Sequence, residues 1–185
     1  MLALAGRRVD AAHAKVRRFP LECAEKVRAR LCELMAALAA RALVCSAAAG
    51  TDLLALDAAR ELGLRARVVL PFDRVRFRAA SVADRPGDFG HLYDHLLDMA
   101  AARGDLVTLA GAAGSEAAYG AAGDAILDEA ARLAAPDVPV AVVAWDGCSR
   151  GAGDHTAAFA NAARRRGWTL VEVPTRPAAP AAGRT

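Results

Sequence analysis

The chain has 185 residues, of which 55% are hydrophobic and 24% charged, and its formal net charge is +3. This length suits one domain with a sizeable core and is short for two. Charge or glycine interrupts the apolar runs well before 18 residues, so we expect a soluble protein without a transmembrane helix. The first residues lack the pattern of a secretory signal and the four cysteines form no CxxC pair, which favours a cytoplasmic location.

The basic clusters are short, and aromatic residues make up only 5% of the chain. Nucleic-acid-binding domains usually concentrate basic charge in a patch interleaved with aromatics, so a nucleic-acid partner is disfavoured. His91 and His95 have the spacing of two metal ligands on a helix, but the glutamate of the helical zinc motif does not follow His91. We therefore predict neither a metal site nor a cofactor.

Short apolar runs alternate with longer amphipathic ones, which is typical of repeated βα units around a parallel sheet. In chain order, strands are predicted at 2–5, 42–46, 67–70, 106–109, 138–144 and 168–173. Helices are predicted at about 21–41, 51–62, 88–102, 115–133 and 154–166, and residues 73–87 indicate an irregular excursion.

This order predicts an α/β fold. We expect an open doubly wound, mainly parallel, Rossmann-like sheet of five to six strands with helices on both faces. It would form a single domain over residues 1–174, and the Pro/Ala-rich residues 175–185 would form a disordered tail.

The segment from Trp145 to Thr156 is the strongest candidate for a ligand site. It joins an apolar strand to a helix, where doubly wound sheets bind their ligands. Gly151 and Gly153 let a ligand approach the main chain, and the free N–H groups of the following helix attract anions. The alternative is an ordinary turn in which Asp154 caps the helix. The candidate contacts here are Asp146, Gly147, Gly151, Gly153, Asp154 and Thr156.

Other strand-to-helix loops should meet the same edge of the sheet. Gly50 and Thr51 are suited to binding phosphate, whereas Asp52 would stabilise its helix or accept a hydrogen bond from a ribose hydroxyl. Arg7 or Arg8, directly after the first strand, could hold phosphate through two hydrogen bonds, and Arg150 in the last loop could add a charge. A helix cap and a surface arginine are the structural alternatives. The candidate contacts in these loops are Gly6, Arg7, Gly50, Thr51, Asp52 and Pro71.

Taken together, these segments resemble the SLOG superfamily, which comprises Rossmann-like nucleotide-ligand sensor domains related to the lysine-decarboxylase-like phosphoribohydrolases. The likeness rests on short motifs in a matching order, at residues 6–10, 49–52, 69–73, 77, 81–82, 118–119, 144–147 and 151–156. It implies a bacterial protein with a nucleotide-like ligand, and it makes a homodimer and effector-domain partners further expectations. The hydrolases of this superfamily carry a catalytic glutamate in the last loop, but Phe159 occupies that position here.

The expected function is therefore binding of a nucleotide or nucleotide-derived small molecule at the carboxyl edge of the sheet, as a ligand sensor or regulatory module. Whether the protein is also an enzyme stays open. A nucleotide hydrolase that cleaves an N-glycosidic or phosphoester bond would need a carboxylate, for which Asp52, Glu116, Asp146 and Asp154 are candidates. The third alternative is a structural or partner-binding domain.

Overall fold

The computed structural model describes residues 1–176, and their six strands form one parallel sheet in the order β4-β3-β2-β1-β5-β6. The strands are β1 (Leu2–Gly6), β2 (Ala42–Cys45), β3 (Arg65–Leu70), β4 (Leu106–Thr108), β5 (Val140–Trp145) and β6 (Leu170–Pro174). The helices are α1 (Ala24–Ala37), α2 (Thr51–Glu61), α3 (Arg74–Ser81), α4 (Phe89–Ala102), α5 (Glu116–Ala134) and α6 (His155–Arg165). The predicted doubly wound α/β fold is confirmed.

Alternate residues of each strand enter two separate apolar cores. On β1, Leu2 and Leu4 pack in the core that includes α1, α2 and α4, whereas Ala3 packs in the core formed with α5 and α6. On β5, Val142 and Val143 divide in the same way. Helices therefore cover both faces, which explains why the central strands are apolar along their whole length.

The strand order reverses between β1 and β5. Strands β2 to β4 are added on one side of β1, and β5 and β6 lie on its other side. The chain leaves β1 towards α1 on one face and leaves β5 towards α6 on the opposite face, so the two connections diverge. Such a divergence opens a crevice beyond the carboxyl ends of the two strands.

Two elements differ from the sequence-based expectation. The excursion at residues 73–87 contains α3, which begins where the Asp73 side chain accepts a hydrogen bond from the Arg76 amide at 3.0 Å. Four arginines in and after this short helix obscured its amphipathic pattern. In addition, a 3₁₀ turn at Leu21–Cys23 precedes α1, and α1 ends at Ala37, before residue 41.

The described chain continues past β6. Thr175 belongs to the predicted tail, yet it is buried and its hydroxyl donates a hydrogen bond to the Arg18 carbonyl at 2.7 Å. The remainder of the predicted tail from residue 177 lies outside the described residues. Among residues 1–176, no helix combines the length and apolar character that crossing a membrane requires.

Candidate functional site

A cavity of about 490 Å³ lies at the carboxyl edge of the sheet, beside the loops that follow β1 and β5. Its volume falls within the range of small-molecule sites. The predicted contacts that line it are Gly6, Arg7, Asp52, Pro71, Gly153 and Thr156. The predicted contacts that do not line it are Gly50, Thr51, Asp146, Gly147, Gly151 and Asp154.

Arg7 is the centre of a buried charge network behind the cavity. Its guanidinium donates to both Asp154 carboxylate oxygens at 2.6 and 2.9 Å and to the Cys148 carbonyl at 2.6 Å. A longer contact of 3.4 Å joins it to Asp146, whose other oxygen accepts from Arg18 at 2.6 Å. Arg7 therefore ties the end of β1 to the loop after β5, and its donors are largely used inside the protein.

The Asp154 carboxylate occupies the N-terminus of α6. It accepts hydrogen bonds from the amides of Thr156 and Ala157, at 3.1 and 3.2 Å, and from the Arg150 amide at 2.7 Å. Burial alone would raise the pKa of Asp154, but the hydrogen bonds from Arg7 and from the backbone amides outweigh burial and hold this pKa well below its ordinary value. The Asp154 carboxylate therefore accepts hydrogen bonds from the helix N-terminal amides that the sequence analysis predicted to bind a ligand.

The turn before α2 is docked against the end of β1. The amide and hydroxyl of Thr51 both donate to the Arg7 carbonyl, at 3.2 and 2.9 Å. Gly6 permits this contact, because a Cβ at that position would lie 2.5 Å from the Thr51 side chain. Gly50 has φ of 124°, a left-handed conformation that favours glycine. Gly50 and Thr51 fix the geometry of the crevice and do not line the cavity.

Asp52 is a buried carboxyl group at the cavity wall. One of its oxygens accepts a hydrogen bond from the Ala48 amide at 3.1 Å. Burial raises the pKa of Asp52 to about 7, although the Ala48 hydrogen bond and the charge of Arg8 act in the opposite direction. The group therefore exchanges a proton near neutral pH, a property common at functional sites.

The loop that follows β1 supplies another wall. The Asp10 carboxylate accepts hydrogen bonds from the amides of Arg18 and Phe19, at 3.0 to 3.1 Å, and so closes the loop at its base. Between these anchors, Ala14 and Val16 line the cavity. The loop is thereby held over the crevice at both ends.

A polar and aromatic wall comes from α5 and the start of α6. His155 Nε2 lies 2.9 Å from Glu116 Oε2, and the His155 ring packs 5.5 Å from that of Tyr119. The Tyr119 hydroxyl is hydrogen-bonded to Ser81 Oγ at 3.1 Å. Gly153 accommodates this wall, since a Cβ there would lie 3.0 Å from a Glu116 carboxylate oxygen.

Three arginines line the cavity besides Arg7 and Arg18 of the buried network: Arg8, Arg85 and Arg150. Sequence reasoning missed Arg85, because nothing distinguishes it from the other arginines of the excursion at 73–87. It predicted Arg8 as the alternative to Arg7 for holding phosphate, and Arg150 only as an added charge. Their convergence depends on where α3 places the chain after it, which no local pattern reveals.

Within residues 1–176, no three His, Cys, Asp or Glu side chains come together as a metal site would require. His91 and His95 are both exposed on α4. The resemblance to SLOG domains stays a prediction. Comparison of the chain with models of known protein families and with curated proteins finds no match.

Proposed function

We propose that the protein binds a nucleotide or nucleotide-derived small molecule in the cavity at the carboxyl edge of the sheet, as a ligand sensor or regulatory module. The observation that carries the proposal is the composition of this cavity at the β1–β5 reversal. Guanidinium groups are contributed by Arg8, Arg85 and Arg150, and apolar or aromatic surface by Tyr119 and Ile126. A phosphorylated molecule with a planar base combines the same two properties.

The position and the size of the cavity both support this assignment. Doubly wound sheets bind ligands where the strand order reverses, because the diverging connections leave an open crevice there. Nearly all of a small ligand can be enclosed in a volume of this order. The Tyr119 ring and the apolar side chains of α5 would contact a base, whose burial supplies non-directional free energy.

A sensor requires a binding-competent pocket and no reactive group. The position that corresponds to the phosphoribohydrolase glutamate is Phe159, which is buried and cannot act on a substrate as an acid or a base. We extend the proposal to a cytoplasmic location, since the four cysteines are free thiols.

Replacement of Gly123 by phenylalanine is expected to weaken nucleotide binding by about tenfold or more, the cost of losing about 1.4 kcal/mol of contact. Gly123 lines the cavity, and a Cβ there would meet no neighbouring atom within 4 Å, so the new side chain has room to enter ligand space. The measurement is the shift in melting temperature with a panel of nucleoside mono-, di- and triphosphates and NAD, followed by calorimetry with the nucleotides that shift it.

Gly120 provides the matched control. It lies on the same helix and a Cβ there would also meet no neighbouring atom within 4 Å, but it does not line the cavity. Gly120→Phe should bind as the unmodified protein does. If no nucleotide shifts the melting temperature of the unmodified protein, the proposal fails and a structural or partner-binding role replaces it.

The pair formed by Glu116 and His155 favours a second candidate function, hydrolysis of the bound nucleotide. Both residues line the cavity, as does the protonatable Asp52. In N-glycosidic cleavage, water adds to the sugar carbon and gives its proton to the Glu116–His155 pair. The base leaves with the bonding electrons and takes up a proton.

Incubation of the protein with the same panel tests this candidate, with free base and inorganic phosphate as the products measured. Glu116→Gln should abolish any release, whereas Asp124→Asn, an exposed carboxylate on the same helix, should leave it unchanged. Binding without release of either product would exclude the hydrolase and retain the sensor.

A further inference from the structure

The glycine turn before α6 is poorly placed to receive a phosphate. The amides of Thr156 and Ala157 already donate to the Asp154 carboxylate. That carboxylate is itself buried and negatively charged, since its pKa is held low by Arg7 and the backbone amides despite burial. A phosphate at this helix terminus would compete with a fixed anion for the same donors.

Positive charge in the cavity is concentrated at Arg8 and Arg85, outside this turn, and at the side chain of Arg150, which directly precedes Gly151. Arg8 donates to both Asp84 oxygens at 2.9 and 3.0 Å, and Arg85 Nε lies 3.2 Å from the same carboxylate. The exposed Asp84 carboxylate therefore forms ion pairs with the guanidinium groups of both Arg8 and Arg85. Arg150 reaches only to 3.9 Å from Asp154, whose oxygens are already engaged by Arg7 and amides.

Arg85 differs from the other two arginines in having a buried donor. Within the described part of the chain, the 3.2 Å contact of its Nε with the Asp84 carboxylate is an ion pair without hydrogen-bond geometry. Burial lowers the pKa of Arg85, and the neighbouring charges of Arg8 and Arg150 lower it further, against the opposite influence of Asp84 and Asp10. A buried donor whose hydrogen bond is not formed is costly, and an acceptor on a ligand would remove that cost.

We propose that the anionic group of the ligand binds to the side chains of Arg8, Arg85 and Arg150, and not to the backbone amides at the start of α6. This inference rests on the proposed function, for which it names the phosphate subsite. The ligand would then lie with its phosphates towards the segment after α3 and its base against Tyr119 on α5. Guanidinium groups suit this role, because they can donate two parallel hydrogen bonds to phosphate.

Inorganic pyrophosphate is the probe, since it carries the charge without a base. Calorimetry should show that Arg85→Met weakens pyrophosphate binding by about tenfold to a hundredfold, the range for a lost charge-assisted hydrogen bond. Arg85→Lys, which keeps the charge but not the planar pair of donors, should give an intermediate loss. The control is Arg165→Met, at an exposed arginine of the last turn of α6 outside the cavity.

The folded state of Arg85→Met is checked by its melting temperature, which should equal or exceed that of the unmodified protein because an incompletely paired buried charge is removed. If the variant does not fold, Arg150→Met and Arg85→Lys carry the same test. NMR signals of the arginine Nε–H groups give a second readout, and pyrophosphate should shift the signal of Arg85.

The outcomes separate the two proposals. Equal pyrophosphate affinity of Arg85→Met and the unmodified protein, or no binding at millimolar concentration, overturns the arginine subsite. If nucleotides still bind and respond to Gly123→Phe, the proposed function survives that result. If pyrophosphate binds through Arg85 but no nucleotide binds more tightly than pyrophosphate, the subsite stands and the nucleotide assignment fails.

Discussion

Replacement of Arg7 by methionine is expected to lower the free energy of unfolding by about 3 kcal/mol, as measured by urea denaturation. The side chains of Arg7, Asp154 and Asp146 are only 4%, 1% and 3% exposed, so the substitution leaves two carboxylates buried with one cationic partner fewer. The loss is held near this value because backbone amides still bind Asp154, and Arg18 still binds Asp146.

The neighbouring arginine is the control. Arg8 is 31% exposed and pairs with the exposed Asp84, so Arg8→Met should cost less than about 1 kcal/mol. Two adjacent arginines at the end of β1 would thus differ severalfold in their effect on stability. Similar losses in the two variants would contradict the description of Arg7 as the centre of a buried network.

The pH dependence adds a second check on Arg7. The low pKa of Asp154 contributes stability that is present above about pH 4 and is lost as pH falls, because the unfolded chain binds the proton more readily than the folded one. Once Asp154 is protonated, Arg7 loses the counter-charge of the carboxylate it binds most closely. The stability difference between Arg7→Met and the unmodified protein should therefore shrink below about pH 4.

Replacement of Asp52 by asparagine is expected to stabilise the fold at pH 8 by up to about 4 kcal/mol, and by much less at pH 5. The folded protein holds a proton on Asp52 up to about pH 7, whereas an unfolded aspartate releases it near pH 4. The free energy of unfolding therefore falls as pH rises from about 4 to about 7. Above about pH 7 the full cost of burying the charged Asp52 carboxylate is present. The asparagine carbonyl can still accept the hydrogen bond from Ala48.

Asp57, on the same helix, should respond in the opposite sense. Burial acts to raise the pKa of Asp57, but hydrogen bonds from Arg60 and Arg28 together outweigh burial and lower it. Asp57→Asn should therefore destabilise the protein at neutral pH, and the effect should fade in acid. A gain in stability from Asp52→Asn that is equal at pH 5 and pH 8 would show that proton release from Asp52 is not the cause.

Much of the fold could be predicted from the sequence because its strands are apolar and its helices amphipathic. The β5 run Val140–Trp145 was recognisable as central, since a strand covered on both faces needs no polar alternation. Helix α3 could not be recognised in the same way. Only Phe77 and Ser81 of its eight residues are buried, so arginines dominate its pattern.

Chain order alone predicted the edge of the sheet at which the cavity lies. It did not predict which group each polar side chain contacts. Arg7 and Thr51 have the chemistry of phosphate contacts, yet they bind Asp154 and the Arg7 carbonyl instead. Arg85 is brought to the cavity by tertiary structure. Whether a polar group faces a ligand or another part of the protein depends on pairings between residues 44 and 147 positions apart, which local patterns do not contain.

The carboxylate of Asp154 also bears on how such a site can change through mutation. It stands where a free anion would otherwise sit, held by Arg7 and by the amides that begin α6. Shortening this one side chain would release a guanidinium and three amides at once, at the expense of a helix cap. A single substitution at Asp154 would therefore free anion-binding groups that its own carboxylate now occupies.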